Sequence, residues 1–133
     1  MEKIILEATP TTPQIILDPA GRFEFGGKSL PENSFEFYRP ILEWLDEFNK
    51  SYKGDFPVSL SFKLEYFNTS STSHFLKIIK KIDALFASGY DASIFWFHDP
   101  DDDDMKEAGE DFRQLVRIPI NIVAEDIPQM PNE

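Results

Sequence analysis

The chain has no cysteine, which excludes disulfides, thiolate metal sites and cysteine nucleophiles together. No stretch approaches the roughly 20 apolar residues that a membrane span needs. The first residues, Met1 to Ala8, lack the basic start and long apolar segment of a secretory signal. Cations are scarce: 13 Lys and Arg stand against 24 Asp and Glu, a formal charge of −11. Repulsion from phosphates makes nucleic acid or an anionic membrane a poor partner for such a surface, and a basic protein a better one. A Walker phosphate loop, a dinucleotide glycine fingerprint and a His-Glu-x-x-His metal spacing are all missing as well. These absences lead us to expect a soluble cytoplasmic protein with no metal and no cofactor.

What is present is the material for a core. The 133 residues are 41% hydrophobic and include 13 Phe, too apolar for a disordered acidic chain. At about 150 residues per domain the length allows one domain over 1–133. Residues 4–6 and 15–17 are both Ile-Ile-Leu, separated by Thr9-Pro10-Thr11-Thr12-Pro13; residues 1–8 read as an arm or edge strand. Asp18-Pro19-Ala20-Gly21 is turn chemistry and Arg22-Phe23-Glu24-Phe25 alternates before Gly26-Gly27, which reads as a turn, so a hairpin is expected over 14–26.

Apolar residues at Phe37, Tyr38, Ile41, Trp44, Leu45 and Phe48 predict a first helix to about residue 52, capped by Asn33 or Ser34, with a kink or restart at Pro40. Residues 58–67 alternate as a strand. Phe75, Ile78, Ile79, Ile82, Leu85 and Phe86 mark a second helix stopped by Gly89. Ser93-Ile94-Phe95-Trp96-Phe97 is apolar enough to predict a strand buried on both faces. A third helix follows through Met105, Ala108, Phe112, Leu115 and Val116. Ile118 to Ala124 closes the set as a strand with Pro119 at its start, and 125–133 is expected to fray. A hairpin followed by alternating helices and strands gives an α/β domain with a mixed, mainly parallel sheet and about three helices.

Three features could carry chemistry. Asn68-Thr69-Ser70-Ser71-Thr72-Ser73 stands between a strand and a helix start, where unpaired amides favour a capping side chain, a bound anion or a phosphate on a hydroxyl. One cap is needed and six capping residues are present, so simple capping and something more both stay open. Asp99-Pro100-Asp101-Asp102-Asp103-Asp104 imitates a calcium loop. It has Asp104 and Lys106 where such a loop needs glycine and an apolar residue, so a helix start enriched in carboxylates or a negative docking face is the better reading. His74 and His98 fall near the same sheet edge. With Ser70 they form the alternative reading, a small-molecule-binding or catalytic α/β domain, although no base–nucleophile–orienter set is evident. Lys77, Lys80 and Lys81 read as a solvated helix face, one that adjoins Thr69 and is available to a partner's acidic patch.

Four separated pieces carry a family resemblance: Pro31-Glu32-Asn33-Ser34; Phe37-Tyr38-Arg39-Pro40-Ile41-Leu42-Glu43-Trp44-Leu45; Tyr66-Phe67-Asn68-Thr69-Ser70-Ser71; and Asp104-Met105-Lys106-Glu107-Ala108-Gly109-Glu110-Asp111-Phe112. With them the chain resembles the bacterial SiaC family of regulatory phosphoproteins, similar in fold to STAS-type anti-sigma factor antagonists, from Thr9-Pro10 to about Ala124. The resemblance implies a STAS-like domain acting as a non-enzymatic switch. In it Thr69 is phosphorylated by a dedicated kinase and released by a PP2C-like phosphatase, and the unphosphorylated form binds and activates a diguanylate cyclase, linking it to cyclic-di-GMP and biofilm behaviour. The expected partner surface is Asn68, Thr69, Ser70, Ser71, Lys77 and Lys80. The acidic run at residues 99–104 departs from the family pattern and bears on which output partner is bound.

Overall fold

The computed structural model describes residues 1–129. Its elements, in chain order, are β1 (Ile4–Leu6), β2 (Gln14–Asp18), β3 (Arg22–Ser29), α1 (Ser34–Ser51), β4 (Val58–Phe67), α2 (Thr69–Ala87), β5 (Ala92–His98), α3 (Asp103–Arg113) and β6 (Ile120–Ala124). The six strands lie side by side in the same order. β1, β2 and β3 are antiparallel neighbours, and β3 to β6 run parallel. Each parallel strand is added beyond the previous one, so three right-handed crossovers carry α1, α2 and α3 over the same face of the sheet.

That face holds the core. Ile15, Phe25, Phe62 and Trp96 are register partners across β2 to β5 and all are buried. Phe75 of α2 packs on Phe25, Phe62 and Phe67 with ring centroids 6.4, 5.3 and 5.2 Å away. Phe112 of α3 lies 5.3 Å from Trp96, and Phe48 of α1 lies 5.0 Å from Phe23. The opposite row, Ile16, Glu24, Ser61, Phe95 and Asn121, carries no helix. Burial therefore alternates along β5 instead of being complete on both sides. Phe95 and Phe97 are half-buried on the open face, and Lys63 Nζ sits 4.6 Å over the Phe97 ring.

Other expectations need correction. Gly26 and Gly27 are not a turn but lie inside β3, which runs to Ser29. Gly27 takes φ 90°, a left-handed backbone that glycine allows, at a register shift where it pairs with Leu64 while Lys28 pairs with Tyr66, so that Glu65 is the extra residue of a bulge in β4. α1 passes through Pro40 as one helix with no restart; Pro40 is on the exposed side, where water can satisfy the carbonyl left without its donor. α3 ends at Arg113, short of Leu115 and Val116, and β6 starts at Ile120, after Pro119. The segment after β6 begins ordered: Glu125 N donates to the His98 carbonyl at 2.9 Å, Ile127 N to Asp99 Oδ1 at 2.6 Å, and Ile127 is buried. Residues 130–133 of the expected frayed tail lie outside the described residues. β1 is the edge strand, with Ile4 opposite Leu17.

Candidate functional site at the start of α2

β4 delivers the chain to Asn68, whose extended backbone (φ −90°, ψ 171°) makes it the N-cap of α2. Its Oδ1 accepts from the Ser71 amide at 3.2 Å and from the Ser70 and Ser71 hydroxyls at 3.0 Å each. Its own N–H donates to the Ser29 carbonyl at 3.0 Å. The six polar residues then separate by helical geometry. Ser71 turns inward and is 0% exposed, with its hydroxyl 3.0 Å from the Ser29 carbonyl and 2.8 Å from Ser29 Oγ. Thr69, Ser70, Thr72 and Ser73 face solvent. Ser71 is therefore a structural residue, which corrects its place among the expected partner contacts and removes it as a phosphate acceptor in the folded chain. Thr69 and Ser70 are accessible.

Beneath this turn the polar contacts continue. Ser29 Oγ is 2.5 Å from the Tyr38 hydroxyl. Tyr38 stacks on the His74 ring at 5.1 Å and 17°, and His74 Nε2 is 3.2 Å from Ser34 Oγ. Burial raises the Tyr38 phenol above its ordinary range. It lowers His74 below the usual imidazole value, with the nearby Lys77 charge acting in the same direction, so His74 is neutral at pH 7. The network ties the ends of β3, β4 and α1 to the first turn of α2, giving the exposed Thr69 a fixed platform.

The alternative trio is not assembled. His74 faces Tyr38 and Ser34. His98 turns its Nδ1 to the Asp99 carbonyl at 2.8 Å, at the end of a different strand, and Ser70 bonds to Asn68. In the acidic run, Asp102 caps α3 by accepting from Met105 N at 3.0 Å, and Asp99 holds Ile127 N. Among the described residues no group of three or more acidic or histidine side chains could hold a metal ion.

On α2, Lys77 and Lys80 are exposed and make no ion pair among the described residues, whereas Lys81 is bound to Asp46 of α1. Lys80 comes eleven residues after Thr69, near the same line of the helix and about 16 Å along it at 1.5 Å per residue. α1 packs on α2, but α2 and α3 leave between them a groove of about 520 Å³ with Phe67 and Leu76 inside it and Thr69 on its wall. Sequence reasoning did not find the groove or the roles of Ser29, Tyr38 and Asp83. Asp83 Oδ1 accepts from the amides of Arg117 at 3.0 Å and Ile118 at 2.8 Å, joining α2 to the approach of β6. The inward period of β3 offered a signal for Ser29; nothing local offered one for Asp83.

Fold and site together define a small α/β domain with supported, accessible hydroxyls at a helix start. Residues 6–125 match the model of the SiaC family, described as SiaC family regulatory phosphoprotein, and the chain belongs to that family. A protein of Pseudomonas aeruginosa strain UCBPP-PA14, described only as uncharacterized, is 32% identical over 127 residues, 95% of this chain and 99% of that one. The solved structure of SiaC of Pseudomonas aeruginosa superposes with a TM-score of 0.84 at 30% identity, covering 94% of this chain and all of the other. The crystal structure of the diguanylate cyclase SiaD in complex with its activator SiaC, from the same organism, matches with a TM-score of 0.84 at 31% identity over 92% of this chain and 99% of its counterpart. No described helix is long and apolar enough to cross a membrane.

Proposed function

We propose that this chain is a non-enzymatic, cytoplasmic partner-switching protein, its single domain spanning the whole sequence. Thr69 is phosphorylated by a cognate kinase and dephosphorylated by a PP2C-like phosphatase, and the unphosphorylated form binds and activates a diguanylate cyclase. The observation that carries the reading is the exposure of Thr69 on a first turn whose neighbour Ser71 is locked inside. Family membership and the SiaD–SiaC complex of the relative support the choice of partner. Phosphate adds about −1.5 to −2 charge on a surface that Asn68, Ser70, Lys77 and Lys80 share, so the partner is excluded while the fold stays intact.

Two measurements test this. Phosphosite mapping on protein from its native cells should place phosphate on Thr69. Thr69→Asp should leave the melting temperature unchanged while cyclase binding and activation fall at least tenfold; a Thr69→Asp chain that binds the cyclase as tightly as the parent defeats the exclusion mechanism.

A further inference from the structure

One side of β1 is bare. On the other it pairs with β2, from Ile4 opposite Leu17 to Leu6 opposite Ile15. Outward it has no neighbouring strand among the described residues, so the N–H and C=O groups on that side stay open to a further strand. β1 is nevertheless firmly placed. Ile4 packs on the core, and Trp44 Nε1 of α1 donates to the Glu2 carbonyl at 2.8 Å, which holds the approach to the strand. Two apolar side chains of this edge are left in water, Ile5 at 58% and Leu6 at 37% exposure.

The charges along the edge select what fits it. Lys3 Nζ lies 3.7 Å from Asp18 Oδ2, and Arg22 Nη2 lies 4.0 Å from the same oxygen. Across the strands the signs alternate from Arg22 to Asp18 to Lys3, and the series stops at the edge on a cation. Glu7 is exposed and makes no ion pair among the described residues. Lys3, Ile5 and Glu7 alternate onto one face of the sheet. An edge lysine deters most strands; the strand that suits it carries a carboxylate opposite Lys3, a cation opposite Glu7 and apolar residues between. Lys3-Ile4-Ile5-Leu6-Glu7 is itself such a strand. Laid antiparallel and centred on Ile5, two copies set Lys3 against Glu7 twice, Ile4 against Leu6 twice and Ile5 against its own copy. Parallel pairing in register opposes like charges, and an antiparallel slip of one residue sets Lys3 against Leu6 or Ala8.

We propose that β1 is a self-association edge, which pairs antiparallel with β1 of a second copy about a two-fold axis at Ile5 and joins two six-stranded sheets into one. Ile5 and Ile16 are register partners, so the join makes an unbroken row of isoleucines on the open face, while on the helix face each Leu6 is covered by the other copy's Ile4. Directly opposed residues of an antiparallel pair point to the same face, so the helices of both copies stand on one side. β4, which leads into Thr69, is three strands away from β1. Both copies therefore keep the Thr69 corner free, and the dimer presents it twice. A join this short buries less than a standard interface, so the dimer is a weak one.

Sedimentation of the purified full chain from about 10 μM to about 1 mM should show monomers giving way to dimers and to nothing larger, with each variant's fold checked by its melting temperature. Lys3→Glu and Glu7→Lys should each weaken the dimer at least tenfold, because each sets like charges opposite one another twice. An equimolar mixture of the two variants should associate again, more strongly at low salt than at high salt. The chain has no cysteine, so one engineered thiol reports the register. Ile5→Cys meets its own copy at about 4.5–5.5 Å between Cα atoms and should form an intermolecular disulfide under mild oxidation. Leu115→Cys, at a position as exposed as Ile5 (57%) but in the link from α3 to β6, should not. If the parent stays monomeric over the whole range, or if Lys3→Glu and Glu7→Lys both fold and dimerise within twofold of it, β1 is not the contact. Species that keep growing with concentration would mean an open head-to-tail arrangement, which overturns the two-fold pairing as well.

Discussion

The Ser71 hydroxyl lies 2.8 Å from that of Ser29, so the first turn of α2 is fastened to the last residue of β3 across 42 positions of sequence. The bond is buried, and its partners include a carbonyl and the capping amide of Asn68. Removing a buried hydroxyl from such a set costs about 1–2 kcal/mol, whereas an exposed substitution usually changes stability by less than about 0.5 kcal/mol. Urea unfolding should therefore show Ser71→Ala clearly destabilised and Thr69→Ala close to the parent. Equal effects would mean that the inward and outward roles of the two residues are misassigned.

Gly109 lets α3 lie against the indole of Trp96. A Cβ added there would fall 2.5 Å from Trp96 Cδ1, and the ring has no room to give: it is 0% exposed and its Nε1 donates to the Met105 carbonyl at 2.9 Å. Alanine gains about 1 kcal/mol of helix propensity over glycine, but overpacking of this severity costs roughly 1–3 kcal/mol. Gly109→Ala should lower the melting temperature. A rise would show that α3 can shift outward freely.

His74 links stability to pH. Its folded pKa lies below its ordinary 6.5, so the unfolded chain takes the proton first. The contribution of neutral His74 is complete above about pH 6.5 and is lost as the pH falls through the lowered folded value. Compared by urea unfolding at pH 7.5 and 5.5, the parent should lose more stability than His74→Gln. Parallel losses in the two proteins would sink the assignment.

Asp83 holds two amides at the approach to β6. Asp83→Ala leaves both without this acceptor and should cost about 1.5–3 kcal/mol, the range for hydrogen bonds to charged groups. Amide exchange at Arg117 and Ile118 should accelerate selectively. Unchanged protection at both positions would show that the carboxylate is not what holds them.

Much of this architecture is legible along the chain because it depends on short periods. The helical stripe from Phe75 to Phe86 and the alternation from Val58 to Phe67 needed no distant partner to be read. Where reading failed, a distant contact decided. Gly26-Gly27 carries a turn-like composition, yet pairing with β4 keeps both residues in the strand, the second lying opposite a bulge in β4. Phe95 and Phe97 look doubly buried because apolarity alone does not say on which side the crossovers place their helices. The residues around Ile127 resemble a loose tail until Asp99 and His98 supply partners for their amides.

The sequence by itself determined that a polar run from Asn68 to Ser73 would open a helix behind a strand, because capping and amphipathic spacing are local properties of the backbone. It also set the acidic balance and the absence of thiol chemistry. Only the tertiary structure decided that Ser71 is internal and Thr69 external, since that choice depends on which face of α2 meets Ser29 and Tyr38. It alone opened the groove beside Thr69, because the spacing of two helices is set by the sheet beneath them and by the size of side chains more than thirty residues apart.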